Sequence, residues 1–323
     1  MNRRQFLALT AGAAVATGGS LAYRRFSDDM AVAHERLSGR SEIFQSRFGT
    51  MEYAVAGNGP PLLVVHGMGG GFDQALDWIP PRASGGRKVV APSRFGYLRT
   101  DFPEDPSLEN QADAFVDLID HLKIERLPVI GISAGAQSAI QFAIRHSRRC
   151  SALVCLVPAT YAPDRARPQV PIWAPQLVAD FSLLTEVFYW LGCTLAQDRM
   201  IGSALATDPA LLDQVSAREA ARARSILRNV MPIRERARGI ANDARQAGWP
   251  SPLPLSQVNV PTLALSLADD RFQTFAAARQ IAAQVPKARL VSYPKGGHIW
   301  LGLNDTVLET VDLFLEATAG SKN

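Results

Sequence analysis

The sequence predicts an α/β fold, a mostly parallel, doubly wound sheet interrupted by one inserted helical cap. Three observations predict it. Short continuous apolar runs recur at residues 62–65, 88–91, 129–132, 152–157, 262–267 and 289–293, the pattern of strands covered on both faces. Helical patterns separate several of these runs, and such alternation argues for parallel crossovers. The alternation stops between residues 158 and 254, where no run reads as a strand.

In chain order, Asn2-Arg3-Arg4-Gln5-Phe6-Leu7 and the Ala/Gly/Thr-rich stretch up to Tyr23 read as an export signal. Paired arginines before Phe-Leu, a weakly hydrophobic segment, and Arg24-Arg25 beyond it resemble the twin-arginine type. Ser20-Leu21-Ala22 offers a small-x-Ala cleavage site, and Ala31-Val32-Ala33 a second. An uncleaved anchor is the other reading, but about 18 apolar residues is the lower limit for a span and small residues make this one poor. Residues 1–34 are therefore assigned to signal and linker. The protein is expected outside the cytoplasm, periplasmic or membrane-anchored, touching a membrane only through this segment.

Residues 43–47 and 51–55 flank Phe48-Gly49-Thr50 and predict a hairpin. Asp105-Pro106 reads as an N-cap with Pro at the first helical position. It leads into a helix over 108–122 with Phe115, Leu118, Ile119 and Leu122 on its apolar face. Residues 35–158 and 255–323 form the predicted core, and 159–254 the cap. The cap begins with Pro168, Pro171, Trp173 and Pro175, continues in an aromatic helix around Phe181, Phe188, Tyr189 and Trp190, and then in a charged helical region over 209–246. Trp249-Pro250-Ser251-Pro252-Leu253-Pro254 returns the chain to the strand pattern.

The 323 residues suffice for one large domain with an insertion, and 47% apolar with 20% charged is the balance of a globular protein. The net charge of +4 is modest; removing Arg3 and Arg4 from the 34 basic residues leaves 32 against 30 acidic ones. That gives no argument for nucleic acid, which needs a clustered basic face. Cys150 and Cys155 lie in one apparent strand, about 16 Å apart and beyond disulfide reach. Cys155 reads as core filler, and a bridge from either to Cys193 stays open. No His/Cys cluster has metal-ligand spacing, and neither metal nor cofactor is expected.

Gly131-Ile132-Ser133-Ala134-Gly135 carries the most chemical information. It follows an apolar run and precedes a helical segment with Ile140, Phe142, Ala143 and Ile144. A Ser on a crowded strand-to-helix turn needs small neighbours on both sides. The helix start then aims backbone N–H groups at developing negative charge.

A serine hydroxyl requires a base, and there are five histidines. His34 lies in the N-terminal tail. His121 and His146 end helical segments, where a solvated cation suits the helix dipole. His66 follows the first buried run and is read as a loop-orienting residue. His298 follows the flexible Pro294-Lys295-Gly296-Gly297 after the last strand and is assigned as base. The base needs a carboxylate to fix its tautomer. Asp269 and Asp270 stand just beyond the 262–267 run, where open α/β sheets build their sites. The chain order Ser133, Asp270, His298 is that of the nucleophile-elbow hydrolases.

At these residues the chain resembles the α/β-hydrolase family. Val260-Pro261-Thr262-Leu263 with Asp269-Asp270 is similar to the family's acid segment, although Leu267 stands where that segment has Gly. The position implies Asp270 as triad acid and Asp269 as a loop or cap partner. His66-Gly67-Met68-Gly69-Gly70-Gly71 resembles the oxyanion loop, which implies amides of Met68 and Ala134 as the oxyanion hole. Such a loop alone could hold phosphate, but no P-loop Lys follows it. Ala91-Pro92-Ser93-Arg94-Phe95-Gly96-Tyr97 resembles the segment after the fourth strand, with Ser93 where Asp is common; Ser93 and Arg94 are read as structural.

Ser rather than Asp at position 133 argues against epoxide opening or halide displacement and for acyl transfer. A serine hydrolase acting on a small ester or thioester is expected. C–C bond hydrolysis, perhydrolysis, acyl transfer to another acceptor, and a non-catalytic ligand-binding scaffold are the alternatives. Trp173, Phe181, Phe188, Tyr189 and Trp190 lean toward an apolar acyl group, although for each alone packing of cap on core is the readier reading.

Overall fold

The computed structural model describes residues 3–81, 85–165, 183–248 and 250–320. Its centre is an eight-stranded sheet in the order β1-β2-β4-β3-β5-β6-β7-β8. The strands are β1 (Glu42–Ser46), β2 (Gly49–Ala56), β3 (Pro61–Val65), β4 (Lys88–Pro92), β5 (Leu127–Ile132), β6 (Cys150–Leu156), β7 (Thr262–Leu267) and β8 (Ala288–Tyr293). β1 and β2 form the predicted hairpin, β2 joins β4 antiparallel, and the other pairs are parallel. This is the predicted fold class.

Alternating residues of each central strand enter two cores, as the period of two requires. Leu62, Val64, Ile130 and Ile132 face one side with Phe72, Trp78, Trp300 and Val311. Leu63, Val65 and Val129 face the other with Phe115, Leu118, Ile140 and Phe142. β8 departs from the buried-run reading. It is the sheet's edge strand and half its residues are exposed, so its apolar run covers one face only.

The helices are α1 (Arg3–Leu37), α2 (Phe72–Trp78), α3 (Leu108–His121), α4 (Gly135–Arg145), α5 (Leu183–Leu195), α6 (Gln197–Ala204), α7 (Ala217–Arg228), α8 (Ala237–Gly248), α9 (Thr274–Gln284) and α10 (Asn304–Gly320). α5 to α8 lie between β6 and β7, and no strand occurs there among the described residues. The cap of α3 differs from expectation. Ser107 is the N-cap and its Oγ accepts from the Asn110 amide. The Asp105 carboxylate instead accepts from the Ser107 amide and the Asn110 side chain, closing a turn one step earlier.

Cys150, Cys155 and Cys193 are all free and buried. Trp173 and Phe181, with Pro168, Pro171 and Pro175, lie outside the described residues. The remaining aromatic residues of α5 do not share one face. Phe188 is exposed, Tyr189 donates to the Leu227 carbonyl, and Trp190 is buried against α1 beside Met30. The partner of Trp190 is the N-terminal helix rather than an acyl pocket.

Parallel register brings the C-terminal ends of β3, β5, β6 and β7 to one edge, with Val65 opposite Gly131 and Leu156 opposite Leu265. The loops after β3, β5, β7 and β8 therefore converge. The turn after β5 leaves no spare space. A Cβ at Gly131 would meet the Ala136 Cα at 2.6 Å, and one at Gly135 would meet the His66 carbonyl oxygen at 2.3 Å. Backbone on both sides cannot yield cheaply, so Gly135→Ala is expected to cost about 1–3 kcal/mol, read as a lowered urea midpoint at unchanged slope.

Candidate active site

Ser133 sits at the turn between β5 and α4 with φ of 51°, in the left-handed region that a non-Gly residue adopts only when its surroundings impose it. Those surroundings are hydrogen bonds. The Ser133 amide donates to the Leu156 carbonyl (2.9 Å), and its own carbonyl accepts from the Ala136 (3.1 Å) and Ala159 (3.0 Å) amides. The side chain is thereby held at the convergent edge of the sheet, almost buried.

His298, from the loop after β8, places Nε2 3.0 Å from Ser133 Oγ. Its Nδ1 lies 2.8 Å from Asp270 Oδ2. Asp270 is fixed in turn: the Phe272 amide donates to Oδ1 (2.9 Å), and the Thr274 hydroxyl to Oδ2. Burial alone raises a carboxyl pKa, but the His298 imidazole and these donors outweigh it and hold Asp270 below its ordinary value. An ionised Asp270 keeps the proton on Nδ1, which leaves Nε2 as acceptor of the Ser133 hydroxyl proton. The Phe272 ring meets the imidazole edge-on at 4.9 Å between centroids.

Asp269 has a separate task. Its carboxylate accepts from the Gly296 (3.0 Å) and Gly297 (2.8 Å) amides, clamping the loop that carries His298. Leu267, the departure from the family's segment, packs at that loop. A Cβ on Gly296, whose φ is 132°, would fall 2.6 Å from a Leu267 methyl.

The loop after β3 approaches the same serine. A Cβ on Gly67 would lie 3.1 Å from Ser133 Cβ, so glycine there permits the approach. The Gly67 amide donates to Gln74 (2.8 Å) and the Gly69 amide to the Tyr97 hydroxyl (3.3 Å). Among the described residues the amides of Met68 and Ala134 donate to no protein acceptor. His66 is fully buried; its Nδ1–H donates to the Gly67 carbonyl (2.7 Å) and its Nε2 accepts from the Arg94 amide (2.9 Å). Burial first, and the Arg94 charge second, push its pKa well below the ordinary value. His66 is thus a neutral structural bridge beneath the loop.

Two buried charge clusters grip this loop. Arg94 pairs with Asp243 of α8 (2.7 and 2.5 Å) and donates to the Gly67 carbonyl (3.2 Å); Tyr97 donates to the same carboxylate (2.5 Å). Arg236, just before α8, pairs with Asp73 of α2 (3.0 and 2.8 Å) and donates to the Gly70 carbonyl (2.5 Å). The helices between β6 and β7 therefore hold the 66–71 loop by two ion pairs of opposite direction. Sequence reading placed Arg94 and Ser93 as structural but missed Asp73, Asp243 and Arg236, whose partners are far away in the chain. Ser93 donates to the buried Glu52 and accepts from the Phe72 amide. Breaking the Arg94 pair leaves a buried cation uncompensated, so Asp243→Asn is expected to lower unfolding free energy by about 3–5 kcal/mol, measured by urea denaturation.

A cavity of about 320 Å³ between α2 and α7 adjoins the loop; Gln74, Asp77, Trp78, Arg222, Ile226 and Val230 are among its walls. Polar groups share this lining with apolar ones.

The model of the alpha/beta hydrolase fold family matches residues 60–305. The uncharacterized hydrolase YcgS of Bacillus subtilis (strain 168) is 41% identical over 107 residues, which span 32% of this chain and 37% of that protein. The 2-hydroxy-6-oxo-6-phenylhexa-2,4-dienoate hydrolase of Burkholderia cepacia is 25% identical over 75% of this chain and 82% of its own length. An α/β-hydrolase fold protein from Nakamurella multipartita superposes with a TM-score of 0.70 at 22% identity, covering 87% of this chain and all of that one. With its sheet order and a family match of this extent, the chain belongs to the α/β-hydrolase fold family.

Proposed function

We propose that the protein is a serine hydrolase that cleaves a small ester or thioester through an acyl-enzyme. The observation that carries this reading is the continuous hydrogen-bonded chain from Ser133 through His298 to Asp270. Ser133 Oγ attacks the carbonyl carbon while His298 Nε2 takes its proton, and Asp270 stabilises the imidazolium. The oxyanion accepts hydrogen bonds from the Met68 and Ala134 amides. Collapse of the tetrahedral adduct expels the leaving group, protonated by His298, and a water activated by the same imidazole hydrolyses the acyl-enzyme. The helices between β6 and β7 act as a cap that seats the substrate. They are tied to the oxyanion loop through Asp243 and Arg236.

A second reading is C–C bond hydrolysis, favoured by the Burkholderia relative, whose name describes a dienoate hydrolase and which aligns over three quarters of this chain. The two separate in one experiment. Chromogenic esters of graded acyl length and a 2-hydroxy-6-oxo-dienoate are offered to wild type and to the Ser133→Ala variant. Serine-dependent turnover of the esters with none of the dienoate supports the first reading. Preference for the dienoate by about a hundredfold or more, roughly 2.7 kcal/mol in transition-state energy, supports the second. Turnover of neither, in folded protein, refutes both.

We also propose export by the N-terminal segment. Among the described residues no helix is long and apolar enough to cross a membrane. Cleavage after Ala22 would leave intact the part of α1 that is packed on the molecule, from Phe26 onward. N-terminal sequencing of cell fractions that finds Met1 intact in the cytosol refutes export.

A further inference from the structure

The C-terminal half of α1 is packed against the functional end of the molecule. Phe26 meets Trp190 edge-on at 5.5 Å, Trp190 Nε1 donates to Asp29 (2.6 Å), and Met30 and Ala33 are buried with Trp190 and Met231. His34 Nε2 lies 2.9 Å from Glu235. These contacts dock the helix. Arg36, at its end, does something different.

The Arg36 guanidinium reaches two places that touch the loop over residues 66–71. Nη1 donates to Asp73 Oδ2 (2.5 Å), the carboxylate that also holds Arg236 on the Gly70 carbonyl. Nη2 donates to the carbonyls of Asn229 and Met231 (2.9 Å each). Between those two residues stands Val230, whose side chain packs on Gly69, 3.3 Å from where a Cβ would stand. Gly69 is in the left-handed region, with φ of 72°. One planar fork thus ties together the anion beneath the loop and the segment above it. A lysine, as a single point charge, cannot span both.

Met68 lies between the carbonyl held by Arg94 at Gly67 and the glycine covered by Val230. Small displacements of a transition-state donor are costly because its hydrogen bond matters only when charge develops. We infer that Arg36 is a positioning residue: through Asp73 and the 229–231 segment it sets the oxyanion loop, so that the helix following the proposed leader is a working part of the enzyme. This rests on the reading of Ser133 as nucleophile and Met68 as oxyanion donor.

The test uses the purified full chain and the Arg36→Met, Arg36→Lys and Asp29→Ala variants. Three quantities are compared: kcat and KM on the best ester of the panel, inhibition by a phenylalkyl boronic acid whose serine adduct is an anionic tetrahedron, and the thermal midpoint. Arg36→Met is expected to lower kcat about tenfold with KM within about twofold, and to weaken the boronate by the same factor as kcat. Arg36→Lys should recover part of both. Asp29→Ala loosens the helix at Trp190 but leaves Arg36 in place, so it should lower the midpoint and leave kcat and boronate affinity unchanged.

Wild-type kcat and boronate affinity in folded Arg36→Met overturn the inference, as does an equal loss in Asp29→Ala. Should the Met variant not fold, the Lys variant decides. A loss of about threefold in kcat, matched by boronate affinity, supports positioning, and unchanged values refute it. Failure of a fluorophosphonate to label Ser133 in wild type would instead strike the parent reading, which separates the two.

Discussion

Ser133→Ala is expected to lower kcat by about 10⁶-fold while the thermal midpoint stays within a few degrees of wild type. The loss is large because, among the described residues, Ser133 Oγ is the one nucleophile hydrogen-bonded to His298 Nε2, at 3.0 Å. The fold survives because Ala keeps the Cβ that already sits beside Gly67, and the amide and carbonyl bonds that impose the positive φ involve only backbone. Residual turnover above about one part in 10⁴ would show that the oxyanion loop and cap accelerate direct water attack by more than such donors ordinarily supply.

Asp270→Asn is expected to lower kcat about 10⁴-fold with little change in KM. The reason lies in what surrounds the carboxylate. The Phe272 amide donates to Oδ1, so an Asn would keep its carbonyl oxygen there and turn its NH₂ toward His298 Nδ1. Thr274, a donor to the wild-type carboxylate, has lone pairs to accept from that amide and would stabilise the turned state. The imidazole would then carry its proton on Nε2 and present a donor to Ser133, the wrong tautomer for a base. Asp269→Asn should behave differently. Its two oxygens each accept from one loop amide, and Asn keeps only one of these bonds. The His298 loop loosens without reversal of the tautomer, and a loss of about tenfold is expected. Steady-state kinetics on both variants decides the assignment. A larger loss in Asp269→Asn would exchange the two roles.

The difference between these two neighbouring aspartates marks how far the sequence can be read. Ser133 was legible because the constraint on it is local: a left-handed residue between two glycines, each facing backbone at under 3 Å. His298 and Asp270 were legible because parallel topology gathers the loops at strand C-termini, so a residue just past a buried run is already near the site. The central strands were legible from the same runs, but their spatial order was not, and neither was the exposure of β8, which follows from its edge position rather than its own composition.

The charge clusters were not legible. Arg36, Asp73 and Arg236 come from three distant segments, and nothing in the spacing of any one of them marks its partner. Asp243 sits in the stretch that the sequence marks only as charged and helical, yet it is buried against Arg94 and Tyr97. The N-cap of α3 was misplaced by two residues because Asp105 and Ser107 both have capping chemistry and only backbone geometry separates them. Trp190 belongs to an aromatic stretch that suggests a pocket, and its actual partner is a helix more than 150 residues earlier.

The most direct measurement is peptide mapping by mass spectrometry after treatment with a fluorophosphonate, on wild type and His298→Ala in parallel. One phosphonyl group on the peptide containing Ser133 in wild type, with labelling of the His298→Ala protein slowed at least a thousandfold, is the predicted result. A folded wild type that takes no label, or takes it at another residue, would contradict the account.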